Sequence, residues 1–189
     1  MIFNMKEEII ISDNLKLVAV NSKYAAEKYI AIKNSYDSLL PWLEWVHFYD
    51  DAKNLKEGEE KVANYQTKKA EEFKCGQSFL YDIFYDGHFA GGIEIMHISY
   101  GNRVCEFGYW LNKDYTKKGI MTRAVNKLTE EVFSELKMHC VIILAAHKNT
   151  ASRAVAERCG FRLEAKLREQ ILLGGKYYDK CVYTKLESD

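Results

Sequence analysis

Proline is almost absent: the chain has 1, Pro41, in 189 residues, alongside 11 glycines. That scarcity excludes a collagen-like, proline-rich or linker-dominated protein. Net charge is lacking as well, because 27 basic residues cancel 27 acidic ones. No whole-molecule field draws the chain onto nucleic acid or an anionic membrane, so neither is expected as a partner. Long apolar runs are missing too: the longest charge-free one, around Val141 to Ala146, falls far short of the roughly 20 residues of a membrane span. The start, Met1-Ile2-Phe3-Asn4-Met5-Lys6-Glu7-Glu8, lacks the basic opening and continuous apolar stretch of a secretory signal. The cysteines, Cys75, Cys105, Cys140, Cys159 and Cys181, are odd in number and contain no CxxC pair, which fits buried thiols in a reducing cytosol. His47, His88, His97, His139 and His147 show no metal-ligand spacing, so no metal is implied. The expectation is a cytoplasmic globular protein.

What is present supports one sizeable core. Hydrophobic residues make up 48% and aromatics 13% of a length that suits one domain spanning 1–189. Ile9–Ile11 and Leu15–Val20 flank Asp13-Asn14 and predict an opening hairpin. Between Ser22 and about Phe48 two helices are expected, with Ser22 capping the first and Pro41 starting a new turn. Residues 54 to 74 predict a charged helix with a solvated face. Three strands follow, Ser78–Tyr85, Phe89–Ser99 and Val104–Asn112, separated by the turn dipeptides Asp86-Gly87 and Gly101-Asn102. Ile120, Met121, Ala124, Val125, Leu128, Val132, Phe133 and Leu136 recur at helical spacing. Cys140 to Ala146 is a continuous apolar run, as in a strand covered on both faces. A further helix begins near Asn149 and stops at Gly160, and Leu163–Leu173 and Lys176–Leu186 make a last strand pair across Gly174-Gly175. The fold class is α+β, or α/β in three layers: a mixed, mostly antiparallel sheet flanked by helices.

The chemistry concentrates where the strand Glu106-Phe107-Gly108-Tyr109-Trp110-Leu111 passes through a short basic loop into the helix at Ile120. A helix start offers free N–H groups and a positive dipole end, and Lys117 and Lys118 add charge, so a phosphate or pyrophosphate fits there. An ordinary strand-to-helix turn with solvated lysines fits the spacing equally well. The loop is neither a Walker A sequence nor GxGxxG.

Together with Lys113-Asp114-Tyr115-Thr116-Lys117-Lys118-Gly119-Ile120-Met121-Thr122, and with Asn149-Thr150-Ala151-Ser152 and Cys159-Gly160-Phe161, this strand resembles the GNAT superfamily of N-acetyltransferases. The resemblance runs over nearly the whole chain and points to the subgroup that acetylates ribosomal-protein amino termini. The family's Gln/Arg-x-x-Gly-x-Gly/Ala pattern keeps only its central Gly119; Thr116 and Met121 depart from it. Because such loops work mainly through backbone N–H groups, a cradle survives those departures.

The resemblance implies direct acetyl transfer from acetyl-coenzyme A to an amine. Lys117, Lys118, Gly119, Ile120, Met121 and Thr122 would hold the pyrophosphate, and backbone groups of Trp110 and Leu111 the pantetheine and thioester carbonyl. Asn149 would contact the pantetheine arm, although at a helix start it fits an N-cap as well. The acid Tyr of many relatives is replaced by Ala156, leaving Ser152 as the acid candidate, also readable as a capping hydroxyl. Glu106 and Glu94 are the base candidates, either also readable as a lysine's ion-pair partner, and Glu169 is a third and weaker option. Trp42, Trp45, His47 and Phe48 would line the acceptor mouth or form a half-buried aromatic cluster. The acceptor expected is a protein α-amine; alternatives are a polyamine or aminoglycoside, or a coenzyme A-binding sensor without catalysis. A neutral surface with exposed aromatics is compatible with a homodimer.

Overall fold

The computed structural model describes residues 5–189. Met1 to Asn4, part of the stretch read above for a secretory leader, lie outside the described residues. Eight strands form one sheet in the order β1-β2-β3-β4-β5-β6-β8-β7. β1 (Glu8–Ser12), β2 (Leu15–Ala19), β3 (Phe79–Tyr85), β4 (His88–Ser99) and β5 (Val104–Leu111) run antiparallel in sequence. β5 then pairs in parallel with β6 (Cys140–Ala146), which is followed by the antiparallel hairpin of β7 (Arg162–Leu173) and β8 (Lys176–Leu186). The mixed, mostly antiparallel sheet expected from the sequence is the one observed.

Alternation along the strands makes three layers. Tyr81, Ile83, Ile93, Ile95 and Phe107 point to the face covered by α3 (Ile120–Ser134) and α4 (Thr150–Arg158), joining Ile120, Ala124, Leu128 and Val132 in the main core. Asp82 and Phe84 point the other way, under α1 (Ala25–Leu39) and α2 (Leu55–Lys74). α2 crosses α1 so closely that a Cβ on Gly58 would collide with the Tyr29 ring, which reserves that position for glycine.

Three local expectations are corrected. Asn21, not Ser22, caps the first helical turn, its side chain accepting the Lys23 N–H, and a 3-10 turn at Ser22–Tyr24 leads into α1. Pro41 lies in a turn, and a 3-10 helix runs over Glu44–Tyr49 instead of a helix beginning at Pro41. Its buried positions, Val46 and Tyr49, are three residues apart, the repeat that a 3-10 helix presents to a core. β6 is fully covered on one face only: Val141, Ile143 and Ala145 are buried, whereas Cys140, Ile142 and Leu144 are half-buried. Of the cysteines, Cys105, Cys159 and Cys181 are buried, but Cys75 is exposed and Cys140 half-buried, and all are free thiols.

One buried ion pair pins α1 to the sheet. Lys28 Nζ lies 2.8 Å from Asp82 Oδ1, and Gln66 Nε2 of α2 donates to Asp82 Oδ2 at 3.2 Å, with Lys28 and Asp82 both buried. Burial pushes the Asp82 carboxyl up and Lys28 pulls it back. Lys28→Met therefore costs about 3–5 kcal/mol by leaving a buried carboxyl unpaired, and Lys28→Met with Asp82→Leu recovers most of it. Urea unfolding of the two variants measures both numbers; a double variant no more stable than the single would contradict the pairing.

Candidate active site

The β5–β6 pairing lasts for four residue pairs, from Val104↔Cys140 to Phe107↔Ile143. Beyond it each strand stays with its antiparallel neighbour: β5 with β4 as far as Gly91↔Leu111, and β6 with β8 as far as Ala146↔Lys180. The two strands part, and a cavity of about 1380 Å³ opens between them, lined by Gly108 to Leu111 on one side and Leu144 to Ala146 on the other.

Strand alternation fixes which main-chain groups face the gap. Asn112 N–H donates to Ala90 O at 2.9 Å, so the main-chain groups of Asn112, Trp110 and Gly108 are turned to β4 and those of Leu111 and Tyr109 to the gap. A Cβ on Gly91 would strike the Trp110 carbonyl, which agrees. Of the two residues expected to offer backbone groups here, Leu111 turns them to the gap and Trp110 turns them to β4; Tyr109 presents the other gap-facing set. The Trp110 ring instead packs edge-on against Trp45, with centroids 5.8 Å apart.

At the start of α3 the chain turns through left-handed conformations at Lys117 (φ 62°) and Gly119 (φ 71°). Gly119 caps α3 without a side chain, and nothing lies within 4 Å of a Cβ there, so glycine is required by backbone conformation and not by space. The first-turn N–H groups of α3 have no intrahelical acceptors and open on the cavity, which Lys117, Gly119, Ile120, Met121 and Thr122 line. Lys118 differs from expectation: its ammonium lies over the Tyr115 ring at 5.0 Å and the Tyr85 ring at 5.9 Å, and its side chain is not on the cavity wall. Arg158 was missed in the sequence. From the end of α4 it donates to Thr122 Oγ1 at 3.2 Å and lines the cavity beside the α3 start. It is 36 residues from Thr122, so only packing of α4 on α3 reveals it.

Asn149 lines the cavity and caps α4, its Oδ1 accepting the Ser152 N–H at 3.1 Å. Ser152 Oγ donates to the Tyr109 hydroxyl at 3.3 Å, and that hydroxyl donates to the Ser152 carbonyl at 3.0 Å. Burial pushes the Tyr109 phenol up to about 12. Burial also lifts the Cys159 thiol to about 11, so it stays protonated and is held on the Thr122 carbonyl at 3.5 Å.

The two carboxylates differ in their company. Buried Glu94 is 2.8 Å from Lys69 Nζ, which also lies 2.6 Å from Glu72. Burial opposes the Lys69 charge, but these two carboxylates more than offset it and hold the ammonium above the ordinary lysine range. Glu106 has His97 as its only ion-pair partner among the described residues, 3.1 Å from Nδ1, where a bulge in β4 puts His97 at φ 49°. Both carboxylates line the cavity. Glu169 does not: it sits exposed at a β7 bulge, its N–H donating to Asp179 at 3.1 Å. Trp42, Trp45 and Phe48 line the cavity as expected, but His47 turns away to the Tyr36 hydroxyl, 3.0 Å off. The β7–β8 hairpin reaches this mouth, where Gly174 N–H donates to Glu44 at 2.9 Å.

Residues 16–162 match the family model for the acetyltransferase (GNAT) domain. The putative ribosomal N-acetyltransferase YdaF of Bacillus subtilis is 39% identical over 107 residues, 57% of this chain and 58% of that protein. The ribosomal-protein-serine acetyltransferase of Escherichia coli is 26% identical over 96% of this chain and 98% of its own length. Among solved structures, the microcin self-immunity acetyltransferase MccE in complex with acetyl-CoA and AMP shares 27% identity at a TM-score of 0.87, covering 97% of this chain and 98% of that one. RimL in complex with coenzyme A shares the fold at a TM-score of 0.87 and 23% identity over 95% of this chain and 98% of its own.

The free N–H groups, Lys117 and Arg158 suit a pyrophosphate, and the parted strands suit an extended amide-bearing arm. Lys117→Ala with Arg158→Ala is expected to weaken acetyl-coenzyme A binding about tenfold, roughly 1.4 kcal/mol, by a margin that shrinks at high salt; titration calorimetry giving unchanged affinity would contradict the assignment. With residues 16–162 matching the family model and the fold shared end to end, the chain belongs to the GNAT acetyltransferase family and is an acetyl-coenzyme A-dependent N-acetyltransferase.

Proposed function

We propose that the chain is a single-domain cytoplasmic enzyme, spanning 1–189, that acetylates the α-amine of a protein, a ribosomal protein being the candidate its relatives suggest. The observation that carries this reading is Glu106, a cavity-lining carboxylate beside the parting of β5 and β6 with no lysine or arginine on it among the described residues. Glu94 has its charge matched by Lys69 and serves the packing of α2 on the sheet.

The magnitudes favour an α-amine. Deprotonating a group of pKa about 7.7–8.0 at neutral pH costs about 1 kcal/mol, against about 4–5 kcal/mol for a lysine near 10.4. One carboxylate without a strong base beside it meets the first demand and not the second. Glu106 accepts the amine proton, the gap-facing main chain of Tyr109 and Leu111 orients the thioester arm and polarises its carbonyl, and the Ser152 hydroxyl donates to the departing sulfur. Trp42, Trp45 and Phe48 hold the acceptor at the mouth. The transfer needs no cysteine nucleophile.

Two measurements test the reading. Coenzyme A release is followed with ribosomal amino-terminal peptides, lysine peptides with blocked termini, polyamines and aminoglycosides. Turnover on free α-amines is expected; turnover on polyamines or aminoglycosides alone would overturn the acceptor, and binding without any turnover would favour a sensor. Glu106→Gln is expected to lower kcat/KM at pH 7 by about 10²–10⁴-fold. The deficit should shrink above about pH 8, where the α-amine loses its own proton. A variant with near-normal activity at pH 7 would remove Glu106 from the mechanism.

A further inference from the structure

We propose that Tyr109 is the positioning residue for Ser152, holding its hydroxyl ready for the departing sulfur and strengthening it as a hydrogen-bond donor when negative charge develops there. The inference deepens the mechanism above and rests on it. Two observations carry it. The hydroxyls of Tyr109, on β5, and Ser152, on the first turn of α4, form a closed pair, Ser152 Oγ–H to the phenol oxygen at 3.3 Å and the phenol O–H to the Ser152 carbonyl at 3.0 Å. Both residues line the cavity, and Tyr109 also turns its main chain to the gap between β5 and β6.

The pair can switch partners without breaking any covalent bond. Each hydroxyl rotates about one single bond and both donates and accepts. When sulfur departs, Ser152 Oγ–H turns from the phenol to the sulfur, and the phenol O–H turns from the Ser152 carbonyl to Ser152 Oγ. The carbonyl is not orphaned, since helix geometry gives it the N–H of Ala156, four residues on. A serine that accepts one hydrogen bond while donating another is the better donor. In the transfer itself Glu106 takes one proton from the ammonium, the freed amine nitrogen bonds to the carbonyl carbon, the carbon–sulfur bond breaks with its electron pair going to sulfur, and the second proton that nitrogen loses on becoming an amide passes to solvent. The Ser152 hydroxyl holds the sulfur charge by hydrogen bonding until solvent protonates it, and Tyr109 keeps its own proton throughout. Burial suits it to that, for the phenol is pushed up to about 12.

The test uses coenzyme A bound to the full chain, with no acceptor present, and reads the thiolate by its ultraviolet absorbance as pH is raised. Wild type is expected to titrate the bound thiol below free coenzyme A. Ser152→Ala should raise that titration by about one pH unit, the scale of a lost hydrogen bond to charge. Tyr109→Phe, which keeps the ring and its packing, should raise the titration by most of the same amount, and the double variant should match Ser152→Ala. Tyr109→Phe titrating like wild type would overturn the proposal. So would a full additional shift in the double variant, which would make the two residues independent. The readout needs no acceptor, so a chain that depresses the thiol yet acetylates nothing in the panel sinks the acceptor reading and leaves this one standing.

Discussion

The site depends on two strands that cannot stay together. β5 and β6 form the sheet's one parallel pairing among the described residues, and it ends at Phe107↔Ile143 because each strand is held more extensively on its other edge. β4 keeps β5 to Leu111, and β8 keeps β6 to Ala146. The gap leaves main-chain donors and acceptors of Tyr109 and Leu111 without sheet partners, a cost that a protein interior meets by pairing with something else. An extended arm carrying amides supplies those bonds, and the start of α3 lies at the end of the same strand to take its phosphates.

Charge is organised by the same economy of position. A chain with no net charge has no long-range field, so each charge acts where it is left unmatched. Lys28 is matched by Asp82, and Lys69 by Glu72 and Glu94. Among the described residues, Lys117 and Arg158 at the α3 start line the cavity without a carboxylate partner, and Glu106 by the parting strands has only the His97 imidazole. One part of the cavity therefore suits phosphate and another suits an amine, which is the polarity that acetyl transfer from coenzyme A requires.

Most of the framework was legible in the sequence because it rests on local rules. The hairpins follow from Asp13-Asn14 and Gly174-Gly175, α3 from its three- and four-residue apolar repeat, and the stop of α4 from Gly160, which adopts φ 77°. Side-chain direction was less legible. Lys117 and Lys118 are neighbours of one type, yet one faces the cavity and the other two tyrosine rings. Trp45 and Phe48 reach the mouth while His47 does not, because the chain there is a 3-10 helix whose repeat could not be told from that of an α-helix, and Trp42 reaches it from the turn before that helix. The exchange of Trp110 for Tyr109 needed the register of β4 on β5, and Arg158 needed the packing of α4 on α3. Both are tertiary facts that no spacing encodes.

Backbone hydrogen exchange, with and without acetyl-coenzyme A, tests most directly whether the parted strands hold the cosubstrate. The amides of Tyr109 and Leu111, and those from Lys117 to Thr122, should gain protection on binding, while Trp110, already paired with β4, should change little. Protection appearing elsewhere, or on Trp110 in place of its two neighbours, would contradict the account.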